Sequence, residues 1–292
     1  MSDAIIREIE RLNIKAEAAR AEGRADDALR VTTKAYELGR GAGLDHSAAF
    51  VTTLNNFGVL HQDRGRLDEA KTFFEEAVAT FRGALASHHA DAAHILHNLG
   101  SLLGVRGEYA AAAPLLGEAA AVARCTLGSD HNDTATILLS LAALCEDQED
   151  YPSACALHEE ALEITRKALG EHHPDYATSL NNLAVLYREL GRFAEAEPLY
   201  RRATEICREA LGERHPDYAT SLNNLAVLYE AQVRFAEAEP LYRRTTEIRR
   251  EALGEQHPAY ATSLNNLARL CKSLGRLAEA EPLYRRAIEI TR

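Results

Sequence analysis

Several things are scarce in this chain, and each scarcity closes off a class of protein. No apolar run approaches the ~20 residues that a membrane-spanning helix needs. No block of Lys and Arg occurs, and 33 basic against 44 acidic residues leave a net charge of −11, which argues against nucleic acid as a partner. Cysteine is rare and odd in number: Cys125, Cys145, Cys155, Cys207 and Cys271, with no Cys-x-x-Cys pair. That is no zinc framework and no disulfide set, and it fits reduced thiols packed within helices in a cytosol. The start, Met1-Ser2-Asp3 followed by Ile5-Ile6-Arg7-Glu8, does not read as a secretory leader. There is no Gly-rich phosphate loop and no nucleophile–base–orienter set, so no cofactor and no catalysis are expected. No segment alternates with the period of a strand. What remains is ordinary globular composition, 46% hydrophobic and 26% charged.

What the chain has in abundance is itself. HPDYATSLNNLAVLY begins at His173 and again at His215, and HPAYATSLNNLARL begins at His257, each a step of 42 residues. Further steps back reach His131 and His89, then Leu54-Asn55-Asn56-Phe57 and Leu12-Asn13. Gly23, Gly65, Gly107, Gly191 and Gly275 keep the same register, with Glu149 and Val233 in their place in copies four and six. Seven copies follow, at residues 4–45, 46–87, 88–129, 130–171, 172–213, 214–255 and 256–292. The whole of 1–292 is therefore expected to be a single array.

One copy reads as two helices. Pro174 suits a first helical turn and Asp175 the positive end of the helix dipole. The first helix runs to about Leu190, and Gly191 permits the turn. The second runs from about Phe193 to Leu211 and ends at Gly212. On a helical wheel Leu180, Leu183, Ala184 and Tyr187 share the arc that meets the second helix. Asn182 and Leu186 lie on an arc suited to packing on the next copy, as do Asn224 and Asn266. A third arc carries Thr178, Asn181, Val185 and Arg188. One hairpin cannot bury two apolar arcs, whereas stacked hairpins can, and the third arc becomes their inner wall.

Leu180-x-x-Leu183-Ala184-x-x-Tyr187 with Gly191, Phe193, Ala196, Tyr200 and Ala203 resembles the tetratricopeptide repeat. The 42-residue period, with LNNLA, AEAEPLYRRA and ALGERHPD, is similar to the kinesin light chain type. The resemblance implies an all-α, right-handed superhelical solenoid of seven helix-turn-helix repeats that binds a peptide or protein segment in its concave groove. It names no ligand. Kinesin light chains also carry a long heptad segment, absent here, so no motor role is inferred.

On that wall the candidate ligand-binding residues are Asn13 and Asn55 in copies one and two, then His94 and His97 in copy three. Copy five offers Thr178, Asn181 and Arg188, copy six Thr220, Asn223 and Glu230, and copy seven Thr262, Asn265, Arg269 and Lys272. A primary amide both donates and accepts, so an Asn ladder can hold a peptide backbone of any sequence. Glu10, Glu17, Asp63, Glu146 and Asp147 against Arg20 make the early wall acidic, while Arg269 and Lys272 make the last copy basic. An extended partner would then lay its acidic residues near the last copies. Copies five and six agree at 35 of 42 positions, and two of the differences, Arg188/Glu230 and Glu189/Ala231, fall on the wall.

His94 and His97, with Asp91 three residues earlier, form at most a weak metal pattern, so no metal is assigned and a polar or pH-sensitive wall contact is expected. His131, His173, His215 and His257 recur at every helix start and read as caps or packing. The functional expectation is a non-catalytic adaptor or scaffold. The alternatives are a self-assembling module that associates through its terminal repeat, and a peptide-sensing regulator acting on a separate effector chain.

Overall fold

The computed structural model describes residues 2–84 and 90–291. Those residues hold fourteen helices and no strand. They are α1 (Ser2–Ala21), α2 (Ala25–Gly41), α3 (Ala48–Asp63), α4 (Leu67–Ala84), α5 (Ala90–Val105), α6 (Tyr109–Thr126) and α7 (Asn132–Asp147). There follow α8 (Tyr151–Leu169), α9 (Pro174–Glu189), α10 (Phe193–Leu211), α11 (Pro216–Ala231), α12 (Phe235–Leu253), α13 (Pro258–Ser273) and α14 (Leu277–Thr291). The chain forms two compact units, residues 1–157 and 158–292, with the division inside α8.

Four of the first helices, α7, α9, α11 and α13, start on the same local device. His173 Nδ1 accepts from the backbone N–H of Asp175 at 3.1 Å, and His131, His215 and His257 do the same at 3.1–3.2 Å. The recurrent histidine is therefore an N-cap, satisfying one of the N–H groups that the first turn leaves open. Pro174, Pro216 and Pro258 follow, where a missing N–H costs nothing. At the far end Gly191 takes φ 71°, which lets Arg192 N–H return to the Tyr187 carbonyl at 2.8 Å.

Within unit 1, Ile9, Leu12 and Ala16 of α1 close on Val31 and Ala35 of α2 and on Ala49 of α3. Within unit 2, Ala177 and Leu180 of α9 close on Ala203, Ile206 and Cys207 of α10. The arc expected to meet the second helix, Leu180, Leu183, Ala184 and Tyr187, is buried throughout. Such apolar burial, at ~25 cal/mol per Å², is the main force holding each pair together. Charged clamps join successive copies across unit 2: Arg234 to Glu197 at 2.7 Å and Arg276 to Glu239 at 2.6 Å. Arg276 and Arg243 together hold the Glu239 carboxyl down to about 2. One packing expectation fails, because Asn182 is exposed. Asn266 does pack on the preceding copy, its amide donating to Asn223 Oδ1 at 2.9 Å.

Candidate functional site

In unit 1 the helices α1, α3 and α5 bound a cavity of about 500 Å³. Asn55 and Asn98 line it, and the Asn98 amide donates to Asn55 Oδ1 at 2.8 Å. The amide nitrogen of Asn55 makes no hydrogen bond among the described residues. Around it stand Glu17, Asp63 and Asp91, with Arg20 bound to Asp63 at 2.5 Å. Thr52 donates to Asp91 at 3.2 Å. A second recess of about 340 Å³ shares Glu17, Thr52 and Asp91 and adds Glu10 and Ile14. The wall of unit 1 is thus a half-enclosed acidic surface. Helix-wheel reading placed Glu17 and Asp63 there but did not show that the first helices of three successive copies close a cavity around them.

Asn13 departs from expectation. It is 4% exposed, its amide donates to the Ala49 carbonyl at 2.8 Å, and its Oδ1 accepts from Thr53 at 2.9 Å. The start of α3 buries it, and both polar atoms are committed, so it borders the second recess as a strut between copies and not as a free ligand contact. His94 is exposed and meets Asp133 at 3.3 Å, while the half-buried His97 meets Ser140 at 2.8 Å. The two rings turn to different residues of α7. Among the described residues no three His, Cys, Asp or Glu are placed to hold one metal ion. Burial, with His94 adding to it, pushes His97 down to about 4. All five cysteines are free thiols, and burial raises those of Cys145, Cys207 and Cys271.

In unit 2 the exposed Thr178, Thr220 and Thr262 each donate their hydroxyl to the carbonyl four residues back, at 3.1–3.2 Å. Each hydroxyl therefore keeps only acceptor capacity for anything outside. The Asn residues do the reverse. Asn223 has its Oδ1 occupied by Asn266, which leaves its N–H groups to offer. Asn265 is exposed with no hydrogen bond among the described residues. Asn181 differs again: its amide donates to Ser221 at 3.0 Å and its buried Oδ1 has no partner among the described residues.

The wall charges in unit 2 are largely cancelled. Arg269 meets both carboxylate oxygens of Glu230 at 2.9 Å, and Tyr242 donates to the same carboxylate at 2.6 Å. Arg188 is bonded to the neighbouring Glu189. Neither Arg269 nor Glu230 is the free selector that sequence position suggested, because a carboxylate one copy away neutralises the cation. Lys272 remains exposed. Sequence reasoning also passed over Arg249, although it is one of the seven positions where copies five and six differ.

Stacked two-helix copies with a polar face on each first helix define an all-α repeat solenoid. The family model for the tetratricopeptide repeat matches residues 9–82, 50–124, 91–154, 133–209, 189–251 and 232–292, so the chain belongs to the tetratricopeptide repeat family. The fold of that family is generally a non-catalytic protein-interaction scaffold. Solved structures agree. A putative kinesin light chain of Podospora anserina with nearly identical repeats is 26% identical, at TM-score 0.63, over 70% of this chain and 96% of that one. BtubC (BKLC) from P. vanneervenii is 24% identical at TM-score 0.61, over 82% and 91%. The quorum sensor NprR from B. thuringiensis, in its apo form, shares the fold at 10% identity and TM-score 0.59, over 96% and 86%. No curated protein sequence matches the chain. Among the described residues no helix is long and apolar enough to cross a membrane.

Proposed function

We propose that the protein is a non-catalytic adaptor that holds an extended peptide or protein segment along the polar face of its first helices. One observation carries this reading. Thr220 and Asn223 present an acceptor and a donor three residues apart on one helix, because internal bonds have already consumed the opposite capacity of each. A peptide backbone needs that alternation, its N–H facing the threonine and its carbonyl facing the asparagine. Thr262 and Asn265 place the same two residue types on α13, where Thr262 is again left as an acceptor and Asn265 offers both its donor and its acceptor. In unit 1 the acidic cavity adds selectivity for a Lys or Arg side chain through Glu17, the Asp63 carboxylate being already held by Arg20.

Selection of ligands from a library of short random peptides tests the proposal. Asn223→Ala with Asn265→Ala is expected to weaken binding whatever the selected side chains. Glu17→Gln is expected to weaken only peptides that carry Lys or Arg. Selected peptides that bind the asparagine double variant and Glu17→Gln as tightly as the wild type would refute the wall as the site.

A further inference from the structure

Arg249 of α12 is 7% exposed, and its guanidinium meets no carboxylate among the described residues. Its two hydrogen bonds are long and go to neutral oxygens: Nη1 to the Ala259 carbonyl at 3.2 Å, and Nη2 to the Thr220 hydroxyl at 3.4 Å. A buried charge without a counter-charge is costly, and burial alone pulls this guanidinium downward. The corresponding position one copy earlier is Cys207, bonded to Ser221, and before that Thr165, bonded to Ser179, both neutral. The same joint carries a second exchange. Ala259 stands where α7, α9 and α11 have Asp133, Asp175 and Asp217, so the first turn of α13 has no acidic residue. Both exchanges move the joint toward positive charge: Ala259 lies at the positive end of α13, and Arg249, near the far end of α12, reaches it with its guanidinium. Thr220, which the guanidinium reaches, is exposed on the wall.

We infer that the joint between α11, α12 and α13 is a site for one oxyanion, a carboxylate or phosphate group carried by a bound segment. Arg249 supplies charge-assisted donors, and the start of α13 supplies its dipole. The anion takes the role that Asp217 fills within α11. The inference rests on reading the wall as a binding surface, but a free anion tests it without any segment bound.

The full chain would be titrated calorimetrically with inorganic phosphate and with acetate, at ionic strength held constant with chloride. Two variants serve as controls, Arg249→Cys and Ala259→Asp, each restoring the residue found in copy five. Saturable phosphate binding is expected for the wild type, and binding roughly tenfold weaker for either variant. Ala259→Asp should also melt higher, since it supplies the missing carboxylate. A response to acetate as well assigns the site to carboxylates, and a response to phosphate alone assigns it to phosphoryl groups. No saturable binding by the wild type, or equal binding by Ala259→Asp, overturns the site. The peptide selection then still decides the wall independently.

Discussion

At the level of single residues, charge and proton affinity on the wall are set by partners far along the chain. Glu230 and Arg269 lie 39 residues apart and cancel each other. A helical wheel shows which way a side chain points but not what it meets, and for that reason this pairing was not legible in the sequence. His97 was legible as a titratable wall residue, but its environment was not. Its ring is pushed down to about 4 by burial. Between that value and the unfolded value near 6.5, the unfolded chain binds a proton that the folded chain refuses. Stability from this group is therefore complete above pH ~6.5 and falls as the pH drops toward 4. From pH 7 to pH 5 the loss is about 2 kcal/mol. Urea unfolding of the wild type and His97→Gln at both pH values checks this. The wild type should lose about 2 kcal/mol more than the variant, and an equal loss in both would show that His97 titrates normally.

At the level of elements, helix limits were read closely because the signals are local: α10 spans Phe193–Leu211, close to the limits the periodicity implied, and closes at Gly212. The turns between paired helices store strain in two places. Five of them use glycine at φ 70–75°, whereas Val233 holds φ 61° and Glu149 φ 60°. A β-branched residue in this left-handed region pays for its Cβ. Val233 is 70% exposed, so its side chain offsets little of that cost. Val233→Gly is expected to stabilise the protein by about 1 kcal/mol, even after the entropy that glycine loses on folding. Denaturant midpoints check it, and an unchanged or lower midpoint would mean the turn is unstrained. Gly58 in α3 makes the opposite case. A Cβ there would sit 2.3 Å from the ring of Phe74, which is itself fully buried in α4. Gly58→Ala gains about 1 kcal/mol of helix propensity, and overpacking costs about 1–3 kcal/mol. With a contact this short the cost falls toward the upper figure, so a net loss of up to about 2 kcal/mol is expected. A midpoint at or above that of the wild type would show that α3 and α4 can separate freely.

For the molecule as a whole, the repeat made the architecture legible, since a hairpin with two apolar arcs has to stack on a copy of itself. The division into two compact units was not legible, because the 42-residue period runs through α8 without a break in pattern. Nor was the Arg249 joint, where two substitutions matter only in combination. The contacts within each unit run between successive helices and between neighbouring first helices, such as α9 with α11. Stability in such an array is a sum of copy and nearest-neighbour terms, so a local defect should remain local. Gly58→Ala provides the defect. Hydrogen exchange followed by mass spectrometry should show faster exchange in α3 and α4, a smaller effect in the adjoining α1, α2, α5 and α6, and wild-type rates in α11 to α14. Uniform acceleration along the chain would mean that the array opens as one cooperative block, and the wall could not then be tuned copy by copy. Confined acceleration would mean that a ligand bound at α11 and α13 stabilises those copies without rigidifying α1 to α4, so that separate stretches of wall can engage separate parts of one partner.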